Sequence, residues 1–300
     1  MALPTVADSL AGRMEAIPLL PLAMPEIAGE PGRFLAEIFT GAVPRPGPAV
    51  IGEALVQAAL GGGFPEALRR TVWPRREAWY LSYVDAILRR DVRDIAAVDQ
   101  LDRMPRLLRA LALQPGWLVN HSATGAAFGL NHVTTHRYTA VLSHLWLLQM
   151  VPSWHSNALS RLIKTPKLHF LDSGLLAALR GLSPERLAAD RTSFGPVLET
   201  FVVAELMKQI GWSGQGIALS HYRDKDGAEV DVVLEDRSGR VVGIEVKAAA
   251  TVTRTDLKGL HRLAEATGDR FVQGIVLYDH DRIVPLGERL SAAPLSTLWT

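Results

Sequence analysis

Asp231 and Glu245 are the residues on which a chemical reading of this chain turns. The segment Ala228-Glu229-Val230-Asp231-Val232-Val233 reads as a strand, and Ile244-Glu245-Val246-Lys247 lies in the next one. Side chains two apart on a strand share a face. Paired as a hairpin, the two strands bring Asp231, Glu245 and Lys247 together at one end of a sheet. Two carboxylates suit Mg²⁺, a hard cation that takes carboxylate oxygens and retains waters. Such an ion lowers the pKa of bound water and offsets charge developing on a phosphodiester, while Lys247 orients that water or neutralises the transition state. Glu199, on an amphipathic helix ahead of the strands, adds a further carboxylate from above the sheet. The plainer alternative is a solvated hairpin end whose charges pair with each other and add little stability. Glu229 then faces solvent or supports Lys225 or Arg223.

A second group opens a helix expected from about Val133 to Leu148. Asn131, His132, Thr134, Thr135, His136 and Arg137 are residue types able to touch phosphates and base edges. Helices over 105–113 and 122–128 precede it, with a turn at Gly129 between. An apolar exit through Met150, Val151 and Trp154 follows, so residues 104–160 have the outline of a winged helix-turn-helix. Arg103, Arg106 and Arg109 recur at helical spacing and form a candidate basic stripe with Lys164 and Lys167. DNA is the partner this implies. Winged helices also serve protein contacts or a homo-oligomer, Thr134, Thr135 and Tyr138 can simply pack, and arginines at this spacing are commonly the wet face of a helix. His132 and His136 have no helix-borne acidic base between them, so zinc is not expected there. Seven tryptophans spread along the chain read as core anchors rather than as a stacking platform.

Composition bounds these readings. With 300 residues, two domains are expected, and 48% hydrophobic residues supply ordinary cores. Charges nearly cancel, 32 basic against 31 acidic, so a nucleic acid would have to be held by a local patch. The absence of cysteine excludes disulfide scaffolds, thiolate zinc sites and thiol catalysis within this sequence. No serine stands in a nucleophile-elbow context. The most apolar run, Val141 to Val151, is short and broken by Ser143, His144 and Gln149, so a cytoplasmic protein without membrane association is expected.

Pro and Gly punctuate the first quarter, including Gly61-Gly62-Gly63, and helix formers run from Glu66 to Val98 with Pro74 placed to open a helix. Asp172-Ser173-Gly174 is a plausible cap for a helix over 175–179. From Gly195 the periodicity alternates: a helix over 197–210, strands over 218–222, 228–234 and 241–248, a helix over 256–266 and a strand over 271–278.

Asp231 followed by Glu245-Val246-Lys247, with Glu199 upstream and this element order around them, resembles the restriction-endonuclease-like PD-(D/E)xK superfamily over about residues 193–278. The resemblance implies metal-ligand roles for Asp231 and Glu245, the lysine role for Lys247 and the helical acidic role for Glu199; the superfamily's proline is absent. A closer resemblance spans nearly the whole chain. Ser9-Leu10-Ala11-Gly12-Arg13, Gly62 to Glu66, Lys164 to Leu175 (KTPKLHFLDSGL), His221 to Leu234 (HYRDKDGAEVDVVL) and Gly274 to Tyr278 look like prokaryotic AAA-type ATPases ending in domain of unknown function 4143. In those proteins an ATPase module precedes the SLAGR segment. No G-x-x-x-x-G-K-[ST] phosphate loop occurs in this sequence, so ATP binding is not expected of it. His280 stands where the resemblance implies Gly.

The expected architecture is α+β. Residues 1–30 form an edge of an ATPase module, 31–165 a helical region with the winged helix, and 166–300 a restriction-endonuclease-like domain of αβββαβ order. The expected function is nucleic-acid binding or processing, including Mg²⁺-dependent DNA cleavage. The alternatives are a non-catalytic regulatory or interaction module and an inert remnant.

Overall fold

The computed structural model describes residues 18–95, 101–157, 161 and 164–299. Helices dominate the first half: α1 (Met24–Ala28), α2 (Phe34–Ile38), α3 (Glu53–Gly61), α4 (Pro65–Leu68), α5 (Trp73–Ile95), α6 (Met104–Ala112), α7 (His121–Ala126) and α8 (His132–His144). Pro74 lies in the first turn of α5, the helix it was expected to open, and the short α4 precedes it. Trp73, Tyr80, Val84 and Leu88 repeat near helical spacing on α5 and are its buried face. The glycine run after α3 is a crossing point rather than a loose break. A Cβ on Gly62, at φ +64°, would sit 2.2 Å from the Tyr80 hydroxyl, and one on Gly63 would sit 2.1 Å from the Leu22 carbonyl. Of residues 1–30, expected to form an edge of an ATPase module, 1–17 lie outside the described residues, and Leu19 is 98% exposed.

Asn120 and Asn131 cap α7 and α8 through their side-chain oxygens. After α8 comes β1 (Leu148–Val151), paired antiparallel with β2 (Lys167–Phe170) from Leu148↔Phe170 to Val151↔Lys167. Residues 116–119 lie along the other edge of β2, with Gly116 N–H donating to Leu168 O at 2.7 Å and Leu168 N–H to Trp117 O at 3.0 Å.

The second half begins with α9 (Ser173–Leu179), capped by Asp172 as expected, then α10 (Pro184–Ala189) and the long α11 (Phe194–Ser213). Strands β3 (Ala218–Arg223), β4 (Glu229–Glu235) and β5 (Val241–Lys247) precede α12 (Lys258–Thr267), and β6 (Phe271–Tyr278), β7 (Val284–Gly287) and β8 (Leu290–Pro294) follow it. The helix, three strands, helix, strand order read from the sequence is present, inside a six-stranded mixed sheet of order β3-β4-β5-β6-β8-β7. Pairing is antiparallel through β3, β4 and β5, parallel from β5 through β6 to β8, and antiparallel at β7.

Apolar side chains cover both faces of this sheet. Val232, Leu234, Val242, Ile244, Ile275 and Leu277 share one core with Val197, Leu198, Phe201 and Val202 of α11, while Val230, Val233, Val241 and Val276 share the other with Leu260 and Leu263 of α12. Burial on nearly every side explains why α11 is apolar around most of its circumference. Its two buried charges answer each other: Lys208 Nζ lies 2.8 Å from Glu205 Oε1, and the pair holds the N-terminal segment through Leu22 O and Met24 N–H. Among the described residues no helix is long and apolar enough to cross a membrane.

Candidate functional site

Where β4 leaves β3 and β5, the ladder is interrupted on both sides. Ser220 pairs with Val233 and Tyr222 with Val230, so Asp231 and Val232 together oppose the single residue His221. Such a bulge re-aims a side chain. Toward β5 the pairing ends at Val232↔Ile244, and the Asp231 carboxylate takes over, accepting the Val246 N–H on Oδ2 at 3.0 Å. The neighbouring Glu245 carboxyl is buried, and its Oε2 has no hydrogen-bond partner.

A cation reaches this edge from β2. Lys167 Nζ lies 3.2 Å from Glu199 Oε1 on α11, 3.4 Å from Asp231 Oδ1 and 3.9 Å from Glu229 Oε2, with its side chain 4% exposed. His169, two residues along β2, is wholly buried, its Nδ1 3.2 Å from Thr200 Oγ1 and its Nε2 3.6 Å from Glu199. The sequence expectation for Lys167, an exposed lysine in a phosphate-binding stripe, is therefore corrected. Its ammonium is committed to carboxylates.

Electrostatics at this edge follow from burying more acid than base. Burial, then the Asp231 charge, pushes the Glu199 carboxyl up to about 8, against the pull of Lys167. Glu245 is raised well above the usual carboxylate range for the same reasons, burial first. Burial opposes the Lys167 charge, but Glu199, Asp231 and Glu229 together hold its ammonium above the ordinary lysine value. Burial and then Lys167 depress the imidazoles, His169 to about 3 and His221 to about 4.

Lys247, expected to join Asp231, instead contacts Asp256, which also accepts the Thr253 N–H at 2.7 Å. Glu229 pairs with Arg223, as the sequence allowed. Gly116 approaches Glu199 so closely that a Cβ would lie 2.8 Å from Oε2. Beside it opens a cleft of about 300 Å³ lined by Gly116, Trp117, Leu118, Lys167, Arg223 and Glu229. Trp117 is 62% exposed at its rim, and Trp146 and Trp212 are also exposed, so the tryptophans are not all core anchors.

The residues proposed for nucleic-acid contact divide. His132, Arg137 and Lys164 are exposed; Thr134 is half-buried, its N–H bound to Asn131 Oδ1 at 2.8 Å. Thr135 is corrected, because it is fully buried against Gly125 and donates to Asn131 O at 2.9 Å. Arg103 donates to Phe128 O and Gly129 O, both at 3.1 Å, bracing the turn between α7 and α8. His280 stacks on Tyr278 with ring centres 5.2 Å apart. Sequence reasoning missed Lys167 and His169 as members of the carboxylate cluster. Their alternation with Leu168 and Phe170 in a strand was the available signal.

Comparison with protein families places a boundary between the halves of this arrangement. Residues 52–186 match the model of a domain of unknown function, DUF8612, and residues 194–298 match that of another, DUF4143. A DUF4143 domain is present. It supplies Glu199, Asp231, Glu245 and Lys247, whereas Lys167 and His169 come from the DUF8612 match. Uncharacterized protein Mb2031c of Mycobacterium bovis and uncharacterized protein Rv2008c of Mycobacterium tuberculosis are each 25% identical over 244 residues, covering 80% of this chain and 53% of theirs. The chain spans about half the length of the curated relatives it matches. No solved structure matches.

Proposed function

We propose that the DUF4143 domain processes nucleic acid as a metal-dependent phosphodiesterase of the PD-(D/E)xK kind, in the setting of AAA-type ATPases that the sequence resembles. The observation that carries this reading is the uncompensated acid at the sheet edge: Glu199 and Asp231, with Glu229 farther off, share one close ammonium, and Glu245 Oε2 beside them is buried without a partner. Buried carboxylates in excess are balanced either by protons or by a cation.

Among the described residues no group of three potential ligands could hold an ion. Asp231 and Glu245 fit the sparser demand of Mg²⁺, which is commonly held by one or two carboxylates with water and substrate phosphate completing its shell. The ion would supply Lewis acidity and a more acidic water. The chain's own residues orient the site. Val246 N–H fixes the Asp231 carboxylate, Lys167 fixes Glu199 and offsets negative charge, and the exposed Trp117 and Arg223 line the approach for a base and a phosphate. The surface of α8, with His132 and Arg137, together with the exposed Lys164, supplies DNA-contacting residues if α6, α7, α8 and the β1–β2 ribbon act as a winged helix.

Calorimetric titration of Mg²⁺ and Mn²⁺ into the wild type and an Asp231→Asn/Glu245→Gln variant, with DNA cleavage assayed on the same samples, tests this. Cation binding and cleavage that are both lost in the folded variant support it. A folded wild type that binds no cation overturns it.

A second reading has its own support. Both lysines are already engaged, Lys167 by carboxylates and Lys247 by Asp256, as in a sheet retained for partner contacts rather than turnover. DNA or partner binding that survives in the same variant, without cleavage by the wild type, favours that reading.

A further inference from the structure

An indole is a large apolar surface to leave in water, yet Trp117 is 62% exposed on a segment whose backbone is fixed residue after residue. Leu118 bridges antiparallel to Lys167, and Val119 N–H donates to Pro166 O at 3.1 Å, continuing the bonds that Gly116 and Trp117 make to Leu168. The segment is a short third member of the β1–β2 ribbon, and Trp117 stands on it as a platform. A ring presented from an ordered backbone loses less conformational freedom when something stacks on it.

The ring borders the cleft of about 300 Å³ that Lys167, Arg223 and Glu229 also line, a space at the small end of the range for ligand pockets. Lys167 is committed to Glu199 and Asp231 and has no charge to offer a phosphate. Arg223 has: its guanidinium gives one nitrogen to Glu229, keeps further donors, and leaves 47% of the side chain exposed. A second cation comes from the other side. His221 Nε2 lies 3.4 Å from Thr165 O, which brings the exposed Lys164, adjacent in the chain, up to β3, where Arg223 is two residues on from His221. A π face flanked by two cations matches a nucleotide, with the base on the ring and the phosphates on guanidinium and ammonium.

A base inside a duplex has both faces covered by its neighbours, so an indole stacks on a base that is unpaired. We propose that this cleft binds single-stranded nucleic acid, with Trp117 stacking one unpaired base and Arg223 and Lys164 holding the adjoining phosphates. The inference rests on the reading of the neighbouring carboxylate edge as a nucleic-acid-processing site and names its substrate class, a single strand rather than an intact duplex. Stacking reads no base edge, so selection by sequence is weak.

Fluorescence anisotropy in EDTA, which withholds any metal, compares binding of the full-length protein to a labelled DNA strand of about 15 nucleotides, an RNA strand of the same sequence and the blunt DNA duplex. Trp117→Ala, Trp117→Phe and Arg223→Gln are run beside the wild type, each checked for folding by circular dichroism. At least one of the single strands should bind about tenfold or more tighter than the duplex, and the tighter of the two names the sugar. Its affinity should fall about fivefold or more in Trp117→Ala and largely recover in Trp117→Phe, with duplex affinity unchanged in both. Arg223→Gln should lower the slope of log affinity against log salt by about 0.7. No strand binding by the wild type overturns the proposal, as do a duplex bound as tightly as the strands, unchanged strand affinity in folded Trp117→Ala, or an unchanged slope in Arg223→Gln. Cleavage is assayed separately with Mg²⁺. Strand binding that needs Trp117, without cleavage, sustains this proposal and overturns the phosphodiesterase reading. Cleavage that is lost in Asp231→Asn/Glu245→Gln but indifferent to Trp117→Ala on single strands sustains that reading and overturns this proposal.

Discussion

Lys167 Nζ stands 3.4 Å from Asp231 Oδ1 across 64 residues of chain. That contact joins the β1–β2 ribbon to the sheet and makes one ammonium the counter-charge of a buried acidic cluster. Removing one member of a buried ion pair leaves the other uncompensated. Lys167→Met is expected to destabilise the protein by about 3 kcal/mol, with a larger loss at pH 8 than at pH 5, where protons can neutralise the carboxylates. Urea denaturation at the two pH values measures both quantities; equal losses would mean that the ammonium acts only by packing.

The pH profile of stability has two limbs of opposite sign. Glu199 is raised from 4.5 to about 8, so its contribution is complete below about 4.5 and is lost as pH rises through 8. His169 and His221 are depressed from 6.5 to about 3 and about 4, so theirs is complete above 6.5 and is lost as pH falls through those values. The melting temperature should peak in mildly acidic solution. Because Glu245 is raised in the same direction, Glu199→Gln should make the alkaline limb shallower without removing it and leave the acid limb in place, as thermal melts across pH would reveal.

Asp231 serves a backbone amide as well as the charge cluster. Asn retains an oxygen for the Val246 N–H, whereas Ala strands it, so Asp231→Ala should be less stable than Asp231→Asn by about 1–2 kcal/mol. Both substitutions are expected to abolish cation binding at this edge. Chemical denaturation beside calorimetry separates the two roles.

Gly116 and Gly181 both have positive φ, +74° and +61°, but only Gly116 faces an obstacle, since a Cβ at Gly181 meets nothing within 4 Å. Gly181→Ala should therefore cost about 1 kcal/mol from backbone conformation alone. Gly116→Ala should cost about 2–3 kcal/mol because Glu199 must also move. Comparable losses in denaturation midpoints would show that Glu199 yields freely.

The sheet was readable where its chemistry is local. β4, β5 and β6 announce themselves through runs of Val and Ile, and their carboxylates fall where the alternation puts them. β7 and β8 were not, because Pro285 and Gly287 read as a turn and Leu290-Ser291-Ala292-Ala293-Pro294 lacks β-branched residues; parallel pairing with β6 makes a strand of it. Lys167 reads from the sequence as part of a basic stripe because its partners lie 32 and 64 residues away. Strand spacing pairs Lys247 with Asp231 and cannot reveal Asp256, nine residues on, competing for the same ammonium. Composition likewise gave no sign that the loop from Gly116 would hold Trp117 at the mouth of a cleft.

The boundary between the two matched segments has an evolutionary consequence. Residues 194–298 bring the acids and 52–186 the buried ammonium that offsets part of their charge. Recombination at that boundary would pass on acidic charge without its counter-ion, or the reverse, so each segment constrains the descent of the other. A substitution at Lys167 is therefore expected to change which residues are tolerated at Glu199 and Asp231.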